Sequence, residues 1–112
     1  MNVDSSNTGL SESVLLKLRE VFAAAPGVEE VVLYGSRAKG TPQPGSDIDL
    51  ALKGRNLNHR DLLALANTLD DLLLPQKIDL ALYAHLDTPA LREHVDRVGI
   101  VLFARRDAPG RP

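Results

Sequence analysis

Residues 35–52 read GSRAKGTPQPGSDIDLAL, and residues 77–83 read KIDLALY. The pentapeptide IDLAL therefore occurs twice, once from Ile48 to Leu52 and again from Ile78 to Leu82. Side chains alternate across a strand, so Ile48, Leu50 and Leu52 share one face while Asp47, Asp49 and Ala51 share the other. In the second copy Ile78, Leu80 and Leu82 oppose Asp79, Ala81 and Tyr83 in the same way. Duplication does not explain the match, because residues 35–47 and 65–77 share no identity at the same offset. Each copy is a strand that buries an apolar triplet and offers an aspartate on its reverse side. Close together in one sheet, the two strands gather Asp47, Asp49 and Asp79 on one face. Clustered carboxylates repel unless a cation pairs with them, and all-oxygen donors suit Mg2+, with Mn2+ as the alternative. A merely solvated sheet face would carry aspartates too, so the strands alone do not decide the matter.

The remaining elements follow from periodicity and caps. Ser11 caps a first helix, with Leu10 and Leu15 as a hydrophobic staple; Val14, Leu18, Val21, Phe22 and Ala25 follow at helical spacing, and Gly27 ends it. VEEVVLYG (28–35) reads as the first strand and residues 47–53 as the second. Asn58 caps a second helix whose stripe is Leu62, Leu65, Ala66, Leu69 and Leu73, stopped at Pro75. Leu72 and Leu74 there form a surplus apolar edge available to a partner. Residues 77–83 form the third strand. Thr88-Pro89 starts a third helix with Leu91, Val95 and Val98 inward and Gly99 at its close, and IVLFA (100–104) is the last strand. The order predicts an α/β fold with one sheet layer, between a disordered segment 1–9 and a loose tail 105–112.

Composition narrows the class. With 112 residues, 44% hydrophobic and 25% charged, the chain makes one globular domain, and its net charge of −2 gives no reason to expect nucleic-acid or membrane binding. It has no cysteine, which excludes disulfides and thiolate metal sites. The polar start MNVDSSNTGL is unlike a signal peptide, and no apolar run nears the ~20 residues of a membrane span. A cytoplasmic protein is the expectation.

The second half of the site lies before the acids. Gly35 lets a phosphate approach the backbone, Ser36 can cap a helix and bond a phosphate oxygen, and Arg37 and Lys39 add charge. The stretch fits neither G-x-x-x-x-G-K-[ST], G-x-G-x-x-G nor G-x-S-x-G. It has Gly35-Ser36, then ten residues (37–46), then Asp47-Ile48-Asp49. This resembles the nucleotidyltransferase superfamily related to DNA polymerase beta: a strand, G-S, a short helix, D-x-D on the next strand and a third carboxylate on a later one. Arg37, Gly40 and Ser46 also match, Asp79 stands where the third acid is expected, and DRVGIVLF (96–103) is similar to the closing segment of the minimal nucleotidyltransferases.

The resemblance implies a small mixed β-sheet with helices packed on it over residues 10–104. It further implies nucleotidyl transfer. Gly35, Ser36, Arg37, Lys39 and Ser46 would hold the triphosphate, and Asp47, Asp49 and Asp79 would bind two Mg2+ ions, with ATP as substrate and Asp79 available as a general base. Minimal members are paired with small helical HEPN toxins and can add AMP to a toxin tyrosine, so the resemblance implies an antitoxin with a HEPN partner. Two other readings are a binding module that neutralises its partner by contact alone, and transfer to a small molecule with help from a second subunit. His59, His85 and His94 lack metal-ligand spacing and read as surface residues, with His85, which follows the third strand, the one to look for near the site. Tyr34 and Tyr83 read as sheet residues, and Lys53 and Arg55 as either phosphate contacts or a solvated strand end.

Overall fold

The computed structural model describes residues 10–35 and 47–105. Its elements are α1 (Glu12–Ala23), β1 (Glu30–Tyr34), β2 (Ile48–Lys53), α2 (His59–Asp70), β3 (Ile78–Leu82), a single 3-10 turn (Tyr83–His85), α3 (Pro89–Val98) and β4 (Ile100–Ala104). The four strands form one sheet in the order β3-β2-β1-β4. β1 is antiparallel to both β2 and β4, whereas β2 and β3 run parallel, so the sheet is mixed as expected. Parallel neighbours need a crossover, and α2 supplies it.

Two of the three helix N-caps read from the sequence form through their side chains. The Ser11 Oγ accepts from the Val14 N–H at 3.2 Å. Asn58 and Asp61 make a reciprocal capping box, each side chain accepting from the other's backbone N–H at 3.0 and 3.2 Å. Thr88 caps α3 without a side-chain bond, with Pro89 in the first turn.

The main core lies on one face of the sheet. Leu15, Leu18 and Phe22 of α1 and Leu65 and Leu69 of α2 pack on Val31, Leu33, Ile48, Leu50 and Leu52. Fully burying such a side chain stabilises the fold by roughly 1.5–3 kcal/mol. The opposite face is not simply solvated. α3 covers part of it, and Val32, Ala51, Leu86 and Val95 form a second, smaller core there. Gly99 makes this possible, because a Cβ would collide with the Val95 carbonyl and the Val32 side chain.

Several boundaries differ from expectation. α1 closes at Ala24, and Gly27 is not its cap. Instead the Arg105 guanidinium, placed by sequence at the head of a loose tail, donates to the carbonyls of Phe22, Ala23, Ala25 and Val28. A cation thus serves the helix C-terminus, whose last turn has no basic residue. α2 ends at Asp70, before Leu73, which is 87% exposed rather than part of the buried stripe, and Ala66 is exposed as well. Tyr83 leaves β3 for the 3-10 turn, where its hydroxyl donates to the Asp96 carboxylate at 2.8 Å.

Candidate active site

The site forms where β1 ends and β2 and β3 begin. Tyr34 pairs with Asp49 across β1 and β2, and Asp49 pairs with Asp79 across β2 and β3. Register partners project from the same face, so the two carboxylates stand side by side on strands about 4.8 Å apart. The face is the one that α3 covers further along, where Ala51 meets Ala81 and Val32. The sheet thus gives this face to apolar packing at one end and to two acids at the other.

Gly35 closes the site from β1. Its φ of +80° lies in the left-handed region, and a Cβ there would stand 2.5 Å from Asp49 Oδ2. The turn therefore needs glycine for two reasons, its backbone conformation and the carboxylate pressed against it. Tyr34 records the same field, because burial raises the pKa of its hydroxyl above the ordinary value and the negative charges of Asp49 and Asp79 raise it further. Its ring also meets His94 of α3 edge-on, with centroids 6.3 Å apart and planes at 81°.

Asp49 is half-buried and Asp79 exposed, while Asp47 stands exposed one residue before β2. Among the described residues no group of three histidine or acidic side chains is drawn together as a ready-made metal cage. The Asp49–Asp79 pair is the part of the expected trio that the fold aligns. Paired carboxylate oxygens beside a glycine turn open to backbone approach fit a divalent cation that takes its remaining ligands from phosphate and water. Ser36, Arg37, Lys39 and Ser46, together with Gly40, lie outside the described residues.

One expectation about a flanking residue is corrected, and one open reading is decided. His85 does not approach the acids. It lines a hollow of about 190 Å3 with Leu52, Lys53, Gly54 and Tyr83, at the far end of β2 and β3. Lys53 lies over the Tyr83 ring at 4.6 Å and 3.9 Å from Glu30, and the Arg55 backbone N–H bonds Glu29, so both cations belong to that far end. The histidine at the site is His94. The signal was present: Leu91, His94, Val95 and Val98 fall at i, i+3, i+4 and i+7 on α3, which places His94 on its inward stripe.

The sequence profile of the polymerase beta nucleotidyltransferase family matches residues 16–108. The chain belongs to this family. Among curated proteins none matches its sequence. Among solved structures, one chain of a toxin–antitoxin complex with AMP-PNP is 26% identical, with a TM-score of 0.65, over 87% of this chain and 76% of that one. A protein described as a minimal nucleotidyltransferase is 27% identical, with a TM-score of 0.64, over 80% and 92% of the two chains. A chain from the Shewanella oneidensis complex of a tri-AMPylated HEPN toxin with its MNT antitoxin is 23% identical, with a TM-score of 0.58, over 88% and 73%, and bears on the fold alone. The Asp49–Asp79 pair and the Gly35 turn are thus set in a nucleotidyltransferase fold.

Proposed function

We propose that this nucleotidyltransferase moves AMP from ATP to a hydroxyl, that the acceptor is a tyrosine of a HEPN-type toxin, and that the chain thereby acts as an antitoxin in the cytoplasm. The observation that carries the reading is the register of Asp49 and Asp79 beside the left-handed Gly35 turn. The family match supports transfer of a nucleotide. The likeness to a toxin–antitoxin complex holding AMP-PNP supports the adenine nucleotide and the antitoxin role. The tyrosine acceptor and the HEPN partner rest on the family resemblance.

In this mechanism the Gly35 turn and Ser36 cradle the triphosphate, with Arg37, Lys39 and Ser46 adding hydrogen bonds and charge. Asp47, Asp49 and Asp79 would hold two Mg2+ ions, which when bound supply charge neutralisation on the phosphates and acidify the acceptor hydroxyl. Asp79, exposed on the acid-bearing face of the sheet, is open to the acceptor and takes its proton. The acceptor oxygen bonds the α-phosphorus, the bond from that phosphorus to the bridging oxygen breaks, and pyrophosphate leaves. Catalysis here is positioning and electrostatics, which a small domain can supply.

Co-expression with a HEPN-type partner tests the proposal. Mass spectrometry should find an AMP adduct on a partner tyrosine with the native chain and none with Asp49→Ala. Neutralisation of the partner by Asp49→Ala without any adduct would show that contact alone suffices.

A further inference from the structure

The two edges of the sheet are treated differently. At β4, Arg19 reaches across from α1 and its Nε donates to the Leu102 carbonyl at 2.9 Å. A charged side chain laid along an edge strand blunts it. Among the described residues β3, the other edge, pairs only with β2. The Ile48 N–H donates to the Lys77 carbonyl at 2.8 Å, so in this parallel ladder Lys77, Asp79 and Ala81 turn their backbone groups toward β2. Ile78 and Leu80 turn theirs outward, and no described strand or loop meets them.

Three further features lie along this edge. A groove of about 420 Å3 runs between the end of α2 and β3, lined by Leu69, Leu73, Leu74, Gln76, Ile78 and Leu80 among others. Leu73 on its rim is 87% exposed and held at a φ of 55°, a left-handed conformation that a leucine rarely adopts. In the same groove Gln76 Oε1 is buried and has no hydrogen-bond partner among the described residues. An exposed leucine and an orphaned acceptor are each unfavourable on a free surface, and a strand laid along the edge covers the first and brings donors toward the second.

We propose that β3 pairs antiparallel with the β3 of a second copy of this chain, Ile78 lying on the two-fold axis. A helix cannot satisfy an open ladder, whereas an extended strand can. Charge selects both the occupant and the register. Outward-facing residues must meet each other, which allows Ile78 opposite Ile78, Ile78 opposite Leu80, or Leu80 opposite Leu80. The second option sets Asp79 directly against Asp79, like charge on like. The third sets Asp79 against Ala81 and gains no charge pairing. The first sets Lys77 of each copy opposite Asp79 of the other, twice by symmetry. Lys77 and Asp79 are both exposed and project from the same face of the strand. In that register Leu80 of one copy falls opposite Gln76 of the other, at the groove. The paired sheet is continuous across both copies, with both sets of acids on one side.

Sedimentation equilibrium of the full chain over the micromolar range tests this. A dimer is expected, weakened tenfold or more by Lys77→Glu and unchanged by Lys17→Glu on the exposed side of α1. The charge-swapped variant Lys77→Glu with Asp79→Lys should recover the dimer, which separates loss of pairing from loss of fold. Because the chain has no cysteine, Ile78→Cys should form a disulfide-linked dimer on oxidation, the axial Cα atoms being about 5.5 Å apart. A monomer at every concentration, a dimer indifferent to Lys77→Glu, protection of this edge only by a different protein, or cross-linking through Leu80→Cys but not Ile78→Cys would overturn the proposal.

Discussion

Asp49 and Asp79 are register partners across the only parallel strand pair among the described residues, and each is the second residue of an IDLAL strand. All five residues of one copy face their counterparts in the other, from Ile48 with Ile78 to Leu52 with Leu82. The repeated pentapeptide is thus a matched pair of neighbouring strands. Their apolar triplets fill one core together, and their acids are set side by side at the strand beginnings, where the β1 turn also arrives.

Gly35→Ala should damage fold and site together. The left-handed backbone costs an alanine roughly 1–2 kcal/mol, and the added methyl would press on Asp49 Oδ2. We expect a lower Tm by thermal denaturation and a loss of nucleotidyl transfer exceeding tenfold, the latter persisting at temperatures where the variant is fully folded.

Asp79→Asn should separate stability from activity in the opposite direction. Removing one of two neighbouring like charges stabilises by about 0.2–1 kcal/mol at low salt, and less as salt screens the pair. Urea denaturation of the metal-free protein should show an unchanged or raised midpoint, while transfer is abolished.

The tyrosines give a pH test. The folded pKa of Tyr34 is raised by burial and then by Asp49 and Asp79, and that of Tyr83 chiefly by its hydrogen bond to Asp96. For a phenol raised above its ordinary value of about 10, the stabilising effect is complete below that pH. It is lost as pH climbs toward the raised value, because the unfolded chain releases a proton that the folded chain retains. Ultraviolet titration of metal-free protein should show both tyrosines ionising late. Asp49→Asn should move Tyr34 back toward the ordinary value and leave Tyr83 in place.

Asn58→Ala removes half of the capping box of α2, beyond the end of β2 opposite to the acids. The expected loss is about 1 kcal/mol, read by denaturation, with transfer unchanged at temperatures where the protein remains folded.

Much of this was legible because it is local. Alternation in IDLAL predicted which residues fill the core, Ser11 and Asn58 announced their helices, and Gly35-Ser36 with Asp47 and Asp49 carried the family. The order β3-β2-β1-β4 was not legible, since strand pairing is decided between segments far apart in the chain. The second core was hidden for a related reason. Covering the acidic face near Ala51 and Ala81 depends on how α3 packs back over β1, through Gly99 against Val32. His94 lay on the α3 stripe, but a histidine among Leu91, Val95 and Val98 does not stand out until Tyr34 is seen opposite it. Leu73 was misread because the apolar period runs on past Asp70, where the helix stops.

In the proposed mechanism Asp49 and Asp79 drive transfer of a nucleotide. Its most direct test is to incubate the chain with Mg2+, ATP labelled in its α-phosphate and a HEPN-type toxin, then follow label into protein. Strong labelling of the toxin by the native chain, with none by folded Asp49→Asn or Asp79→Asn variants, is the predicted result. Undiminished labelling by either variant would contradict the account.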